Sequence, residues 1–380
     1  MVDGGVAGAL VAALLAVVGL DTLLTIVAPA PENTTGTETV IKTPPGRVKR
    51  LRLAVTPVFT SIDPRSGRPL QWDDVGTLLK ELGPGYKDYE TIQVQDLADI
   101  DKLRQYDIVF FSCGAGQFDP RLANTLQAYV SQGGILYASD WRYPVVAQAF
   151  PELRAPELES SGFDTAVNAE VVDAGLRDML GQDHIKLTFE LDAWMTAAFK
   201  GDRVKVLLRG TFRSHKFGNE TRTAPLLVKF SFGKGTVIFT SYHHGKTHDE
   251  QEKKLLKYLI FSVATAKVEQ ELEETQVKNQ FSPAKSNLFS ASVDNPKATY
   301  SYDNVKAGTL RFDLGFEDRG AELKLAAKSP SGKVYEKQGT KSFFIEVPNA
   351  EQGSWTYTIT ALQVPYENFA FLVNVSHGKK

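Results

Sequence analysis

One cysteine, Cys113, stands in a chain of 380 residues. No internal disulfide can form, so the fold does not depend on oxidation; this fits a reducing compartment without requiring one. An excess of positive charge is also missing. Lys and Arg number 43 against 45 Asp and Glu, for a net charge of −2, which argues against a partner recognised through its nucleic-acid backbone. No internal repeat relates one half of the chain to the other. With 42% hydrophobic and 23% charged residues, the composition is globular rather than disordered, and the length suits two domains of ordinary size.

One long hydrophobic run is present, at the amino end. Residues Val6 to Leu20 are unbroken apolar sequence, and after Asp21-Thr22 the run resumes from Leu23 to Ala28. A helix crossing a bilayer needs roughly 20 apolar residues. The run is therefore expected to be a single-pass membrane anchor over 1–29, with Asp21 near an interface or a partner helix. The rival reading is a cleaved leader, because Ala28-Pro29-Ala30 has a small-x-small pattern. The stretch before it carries no positive charge, which favours the anchor. Lys42, Arg47, Lys49, Arg50 and Arg52 follow the run, and the positive-inside tendency then places the large carboxyl part in the cytoplasm, with the extracytoplasmic side as the alternative. Asn33-Thr34-Thr35, Asn219-Glu220-Thr221 and Asn374-Val375-Ser376 match the glycosylation triplet, a pattern common by chance.

The Pro- and Thr-rich stretch 30–48 reads as a linker. Strands and helices then alternate. Leu51–Val55, Tyr89–Val94, Asp107–Ser112, Ile135–Ala138 and Thr236–Ser241 read as strands, and Val75–Leu82, Ile100–Tyr106 and Pro120–Ser131 as helices. The rhythm predicts an α/β domain over 49–266 with a doubly wound parallel sheet. Val204–Gly210 and Ala224–Phe230 read as a hairpin-type pair. Thr247-His248-Asp249-Glu250 has the form of a capping box and opens a helix whose polar end, within 267–282, is expected to bridge domains. From 283 to 380 the period changes to 2, with Gly and Pro turns, which predicts an all-β sandwich. Trp355 is expected in its core.

The segments Tyr106–Ser112, Ala128–Leu136 and Gly233–His244 carry a resemblance. On them, residues from about 50 to 264 resemble the class I glutamine amidotransferase-like superfamily, especially its ThuA-like and other non-amidotransferase branches. Leu325–Gly332 and Ala350–Tyr357 resemble segments of Ig-like or jelly-roll sandwiches, modules that bind or brace more often than they catalyse. The first resemblance implies a flavodoxin-like fold with its site above the carboxyl ends of the strands. It also implies a nucleophile elbow at Tyr137-Ala138-Ser139-Asp140-Trp141. In amidotransferases that elbow holds a cysteine flanked by glycines; here both are missing, and Trp141 and Arg142 follow. Cys113 matches the glycine-rich turn after the preceding strand, and His243 lies near the position of the family's catalytic histidine.

The expectation is a membrane-anchored binding protein without catalytic activity. Its ligand-binding residues would be Ser112, Cys113, Gly114, Ser139, Asp140, Trp141, His243 and His244, and its partner a small molecule or another protein. The alternative is a hydrolase using Ser139 or Cys113 as nucleophile with His243 as base. A ThuA-like, sugar-related role is a second alternative. No cofactor is expected. The ligand-capable group His243, His244, His248, Asp249 and Glu250 is expected not to hold a metal, because adjacent histidines on a turn do not readily face one ion. Ser112–Gly116 lacks the Lys-Ser/Thr ending of a nucleotide-binding loop. Trp194 either covers the site or packs a loop against the sheet.

Overall fold

The computed structural model describes residues 51–62, 69–114, 119–189, 193–216, 218–243, 250–292, 294–317 and 320–378. The apolar run 1–29 and the linker 30–48 lie outside them, as do His244 and the capping box Thr247–Asp249.

A nine-stranded sheet forms the amino-terminal half. Its order is Tyr89–Thr91, Leu53–Val55, Ile108–Phe111, Ile135–Ser139, Gly235–Thr240, Thr221–Phe232, Val204–Arg213, Ala166–Val171 and His184–Thr188. The first five strands are mutually parallel and the remaining pairings are antiparallel. The doubly wound, flavodoxin-like parallel sheet expected from the sequence is thus corrected to a mixed one. The reason is connection length. Only Gly233-Lys234 separates Thr221–Phe232 from Gly235–Thr240, and a link that short can only reverse the chain.

The parallel strands are buried on both faces, as strands covered by helices must be. Alternate side chains enter two separate cores. Leu53, Val55, Ile108, Phe110, Ile135 and Tyr137 pack with Leu78 and Leu79 of the helix Val75–Glu81 and with Leu255 and Leu259 of the helix Glu250–Lys278. Ala54, Val109, Phe111, Leu136 and Ala138 pack with Leu122, Leu126 and Val130 of the helix Arg121–Ser131.

Two four-stranded antiparallel sheets form the carboxyl-terminal half. One is ordered Phe281–Ala291, Phe369–Gly378, Gly308–Gly315, Phe343–Ala350. The other is ordered Lys297–Asn304, Gly353–Gln363, Glu322–Lys328, Val334–Gly339. Phe312 of the first sheet meets Trp355 and Tyr357 of the second at ring separations of 5.7 and 5.5 Å, and all three are fully buried. The period-2 pattern read from the sequence produces this arrangement, because alternate residues of each strand face the opposite sheet.

The helix Glu250–Lys278 is more than a bridge. Lys229 Nζ, on a central strand, donates to Glu269, and Lys205 Nζ approaches Glu269 at 3.2 Å. Val268 and Leu272 are buried against Gly315 of the β half, and Gln276 Nε2 donates to Asp313 at 2.9 Å. Elsewhere Tyr86 Oη donates to Asn368 O at 2.9 Å, and Asn368 Nδ2 returns a bond to Leu82 O at 2.9 Å. A single apolar core accordingly runs through both halves.

Gly175 makes a closer contact still. It is the second residue of the helix Ala174–Leu180, and a Cβ there would lie 2.1 Å from the backbone oxygen of Ser286. Gly175→Ala is expected to lower stability by about 1–3 kcal/mol, the usual cost of overpacking. Urea unfolding measures it; an unchanged midpoint would mean that the two halves do not meet here as closely as described.

Among the described residues no helix is long and apolar enough to cross a membrane. The single-pass membrane assignment is corrected accordingly. The segment on which it was built lies outside the described residues, and the long helix Glu250–Lys278 alternates apolar residues with many charges.

Candidate functional site

Three adjacent parallel strands end side by side. Phe111 pairs with Ala138 and Ser139 with Thr240, so the residues that follow converge at one sheet edge. Ser112 and Cys113 follow the first strand, Asp140 the second, and Ser241 to His243 the third.

The second strand ends in a sharp turn. Asp140 has φ +44°, a left-handed conformation that non-glycine residues adopt at a cost and that aspartate tolerates better than most. The helical turn Asp140–Arg142 and the helix Tyr143–Ala149 follow directly. This is the strand–strained turn–helix geometry that presents a nucleophile in elbow-type hydrolases. The residue presented is a carboxylate.

Asp140 is fully buried. Its Oδ1 accepts the Met195 N–H at 2.6 Å. Its Oδ2 lies 2.7 Å from His243 Nε2 and accepts from Cys113 Sγ at 3.7 Å. Cys113 is 2% exposed and the His243 side chain 5%. A second buried aspartate supports the first. Asp73, also at positive φ (59°), accepts the Cys113 backbone N–H at 2.7 Å and the Ser139 hydroxyl. Behind the loop, Arg142 lies over the Phe111 ring at 4.3 Å and its Nε donates to Ser112 O at 2.6 Å. Thr56 Oγ1 receives the Ser112 N–H. Both Ser112 and Ser241 carry a buried hydroxyl without a hydrogen-bond partner among the described residues.

The electrostatics follow from burial and contact. Burial pushes the Cys113 thiol up; His243 pulls it back only in part, and Asp140 and Asp73 oppose its ionisation. Burial also raises Asp140, against the opposing pull of His243. Burial alone would lower His243, but its hydrogen bonds and attraction to Asp140 and Cys113 hold it well above the ordinary imidazole value. Burial and the two carboxylates therefore favour the thiol over the thiolate, and contact with Asp140 favours the charged imidazole. The histidine thus acts as counter-ion to a carboxylate rather than as a free base facing a thiol.

The structure brings Cys113, Asp140 and His243 together, with Ser112 and Ser139 alongside. Gly114 is buried at the same strand end. Trp141 does not join them: it is 37% exposed and its Nε1 donates to Ala193 O at 3.2 Å. Trp194 is buried, stacked on Phe189 at 4.1 Å, and packs the structure beside the site. His244 lies outside the described residues, and of the group His243 to Glu250 only His243 and Glu250 lie within them. Asp73 and the Met195 N–H are the participants that sequence reasoning missed. The one visible signal was the pair Asp73-Asp74, of which Asp74 caps the helix Val75–Glu81 through the Thr77 N–H at 3.0 Å; nothing local marked Asp73 as turned inward.

No protein-family model matches the chain, and no curated protein matches its sequence. Solved structures do align with it. A cytoplasmic protein from Salmonella typhimurium, STM3548, aligns at 13% identity over 55% of this chain and 98% of its own, with a TM-score of 0.33. A ThuA-like protein from Bacteroides uniformis aligns at 13% identity over 58% and 94%, with a TM-score of 0.37. A β-galactosidase from Bacillus circulans covers 81% of this chain and 41% of its own, at 13% identity and a TM-score of 0.30. ThuA-like proteins, the branch that the sequence resembles, are thus among the structures similar to this chain; at these scores the alignments carry nothing about activity.

Proposed function

We propose that the chain is a non-catalytic binding protein, in which a polar centre replaces the nucleophile of an elbow-type enzyme. The observation that carries this reading is Asp140 at the elbow. Both of its carboxylate oxygens are engaged, one by Met195 and the other by His243 and Cys113. A thiol becomes nucleophilic when a neighbouring base or cation favours its thiolate. Here burial and two carboxylates favour the thiol, and the His243 Nε2 that would accept its proton also lies 2.7 Å from Asp140. Ser139 is no better placed, since its hydroxyl hydrogen points to Asp73.

The hydrolase reading survives in one form, Cys113 with His243, because the two groups and Asp140 lie within 4.8 Å of one another. One experiment separates it from binding. The native full chain, freed of metal by a chelator, is treated with iodoacetamide at mildly alkaline pH, and thioester and activated-ester substrates are offered in parallel. Cys113 is expected to stay unmodified while the denatured chain labels completely, with no turnover above background. Rapid alkylation of the native thiol, or turnover lost in Cys113→Ser, would overturn the proposal.

A further inference from the structure

We propose that Cys113, Asp140 and His243 form a binding site for a divalent transition-metal ion of the zinc class. This deepens the reading of the cluster as a binding centre and rests on it. The donor atoms are Cys113 Sγ, Asp140 Oδ2 and His243 Nε2, all within 4.8 Å of one another. Around a tetrahedral zinc ion with ligand distances of about 2.0–2.3 Å, neighbouring donors stand roughly 3.3–3.6 Å apart. Sγ and Oδ2 are separated by 3.7 Å and Nε2 and Oδ2 by 2.7 Å. Retreat of the imidazole from the carboxylate by about half an ångström brings the second pair to the spacing such an ion requires.

The donor set suits the ion. Thiolate and imidazole are borderline-soft ligands that favour zinc over magnesium or calcium, and thiolate plus carboxylate together match a charge of +2. The surroundings are those of a built site. The Met195 N–H holds Asp140 Oδ1 at 2.6 Å and so aims Oδ2, the kind of outer-shell bond that orients metal ligands. The Cys113 backbone is held by Asp73 at 2.7 Å. All three ligands follow the ends of buried strands, which fixes their separation better than mobile loops would. The ion binds a thiolate and an unprotonated Nε2, so its entry releases whatever protons those atoms carry. A tetrahedral ion would have one further position beyond these three ligands.

Cobalt(II) is a spectroscopic probe for this site. The tag-free full chain is stripped with a chelator, titrated with cobalt(II), and then challenged with zinc. Saturation at one equivalent is expected, with a thiolate-to-cobalt charge-transfer band that zinc abolishes. Cys113 is the chain's only cysteine, so the band can come from no other residue, and the wild-type titration decides even if a variant fails to fold. Cys113→Ser is expected to lose the band. Its affinity should fall by at least the roughly 10–100-fold that loss of an outer-shell partner costs, and His243→Gln should match it, while His215→Gln binds as wild type. Absence of the band at stoichiometric cobalt, or unchanged affinity in folded Cys113→Ser, overturns the site. If the band is absent and the native thiol resists iodoacetamide, the metal site fails and the non-catalytic reading stands; rapid alkylation removes that reading whatever cobalt does.

Discussion

Glu269→Ala is expected to destabilise the protein by about 3–5 kcal/mol in urea unfolding at neutral pH, the cost of leaving a buried partner charge uncompensated. Lys229 Nζ, on a side chain 9% exposed, donates to Glu269 Oε2 and to Ser262 Oγ at 3.0 Å. Lys205 Nζ stands 3.2 Å from the other carboxylate oxygen and also reaches Glu273. Burial works against the Glu269 charge, but attraction to the two lysines outweighs it and brings its pKa down to about 2.

The sign of the pH effect follows. The folded pKa lies below the ordinary carboxylate value of 4.5, so the stabilisation is fully present above about pH 4.5 and is lost as pH falls through about 2. A shift of this size corresponds to roughly 3 kcal/mol, in line with the mutational cost. The wild type should lose stability across that window more steeply than Glu269→Gln. A double variant, Lys229→Met with Glu269→Leu, should recover most of the loss, because well-packed apolar residues often replace a buried pair without penalty. A cost below about 1 kcal/mol for Glu269→Ala would show that the pair is solvated and that the helix is held to the sheet by its apolar face alone.

Asp140→Ala is expected to cost a similar amount, about 3–5 kcal/mol. It strands His243 and the Met195 N–H at once, and alanine tolerates the left-handed backbone less well than aspartate does. Asp140→Asn should cost less, about 1.5–3 kcal/mol. The amide oxygen can still accept from Met195 while the charge facing His243 is lost, and a hydrogen bond to a charged group is worth about that much. Asp140→Ala combined with His243→Ala should cost less than the sum of the single variants, since each single change leaves the other partner buried and unmatched. Strict additivity in that cycle would sink the claim that the two side chains act as a unit.

The strands were legible for a physical reason. Ile108–Phe111 and Ile135–Ser139 are buried on both faces, so nearly every residue in them is apolar and the run declares itself. The carboxyl-terminal strands alternate because each has one buried face, as Leu323, Leu325 and Ala327 show. The segment 166–188 was not legible. Its strands Ala166–Val171 and His184–Thr188 are short and lie at the far antiparallel edge of the sheet, and in the first of them alanine stands on both the exposed and the buried face, which blurs the alternation. The polar end of the long helix was read as a bridge between domains, but its individual partners were not legible. Glu269 and Gln276 look like solvent-facing residues in sequence, yet their partners Lys229 and Asp313 approach from other elements.

Read residue by residue, the chain already shows the alternation of strands and helices and the change of period near residue 283, while the grouping of residues 112–113, 139–140 and 243 at one end of the sheet came from the family resemblance. Hydrophobic spacing encodes the first two, and it is local. What the strand ending in Ser139-Asp140-Trp141 presents was settled by folding. Chain order makes Ser139, Asp140 and Trp141 equal candidates. The left-handed turn at Asp140 directs its carboxylate inward to His243 and Cys113, directs Ser139 to Asp73, and leaves Trp141 at the surface. A backbone angle and three partners from distant positions set that choice, and neither is written in the spacing of residues along the chain.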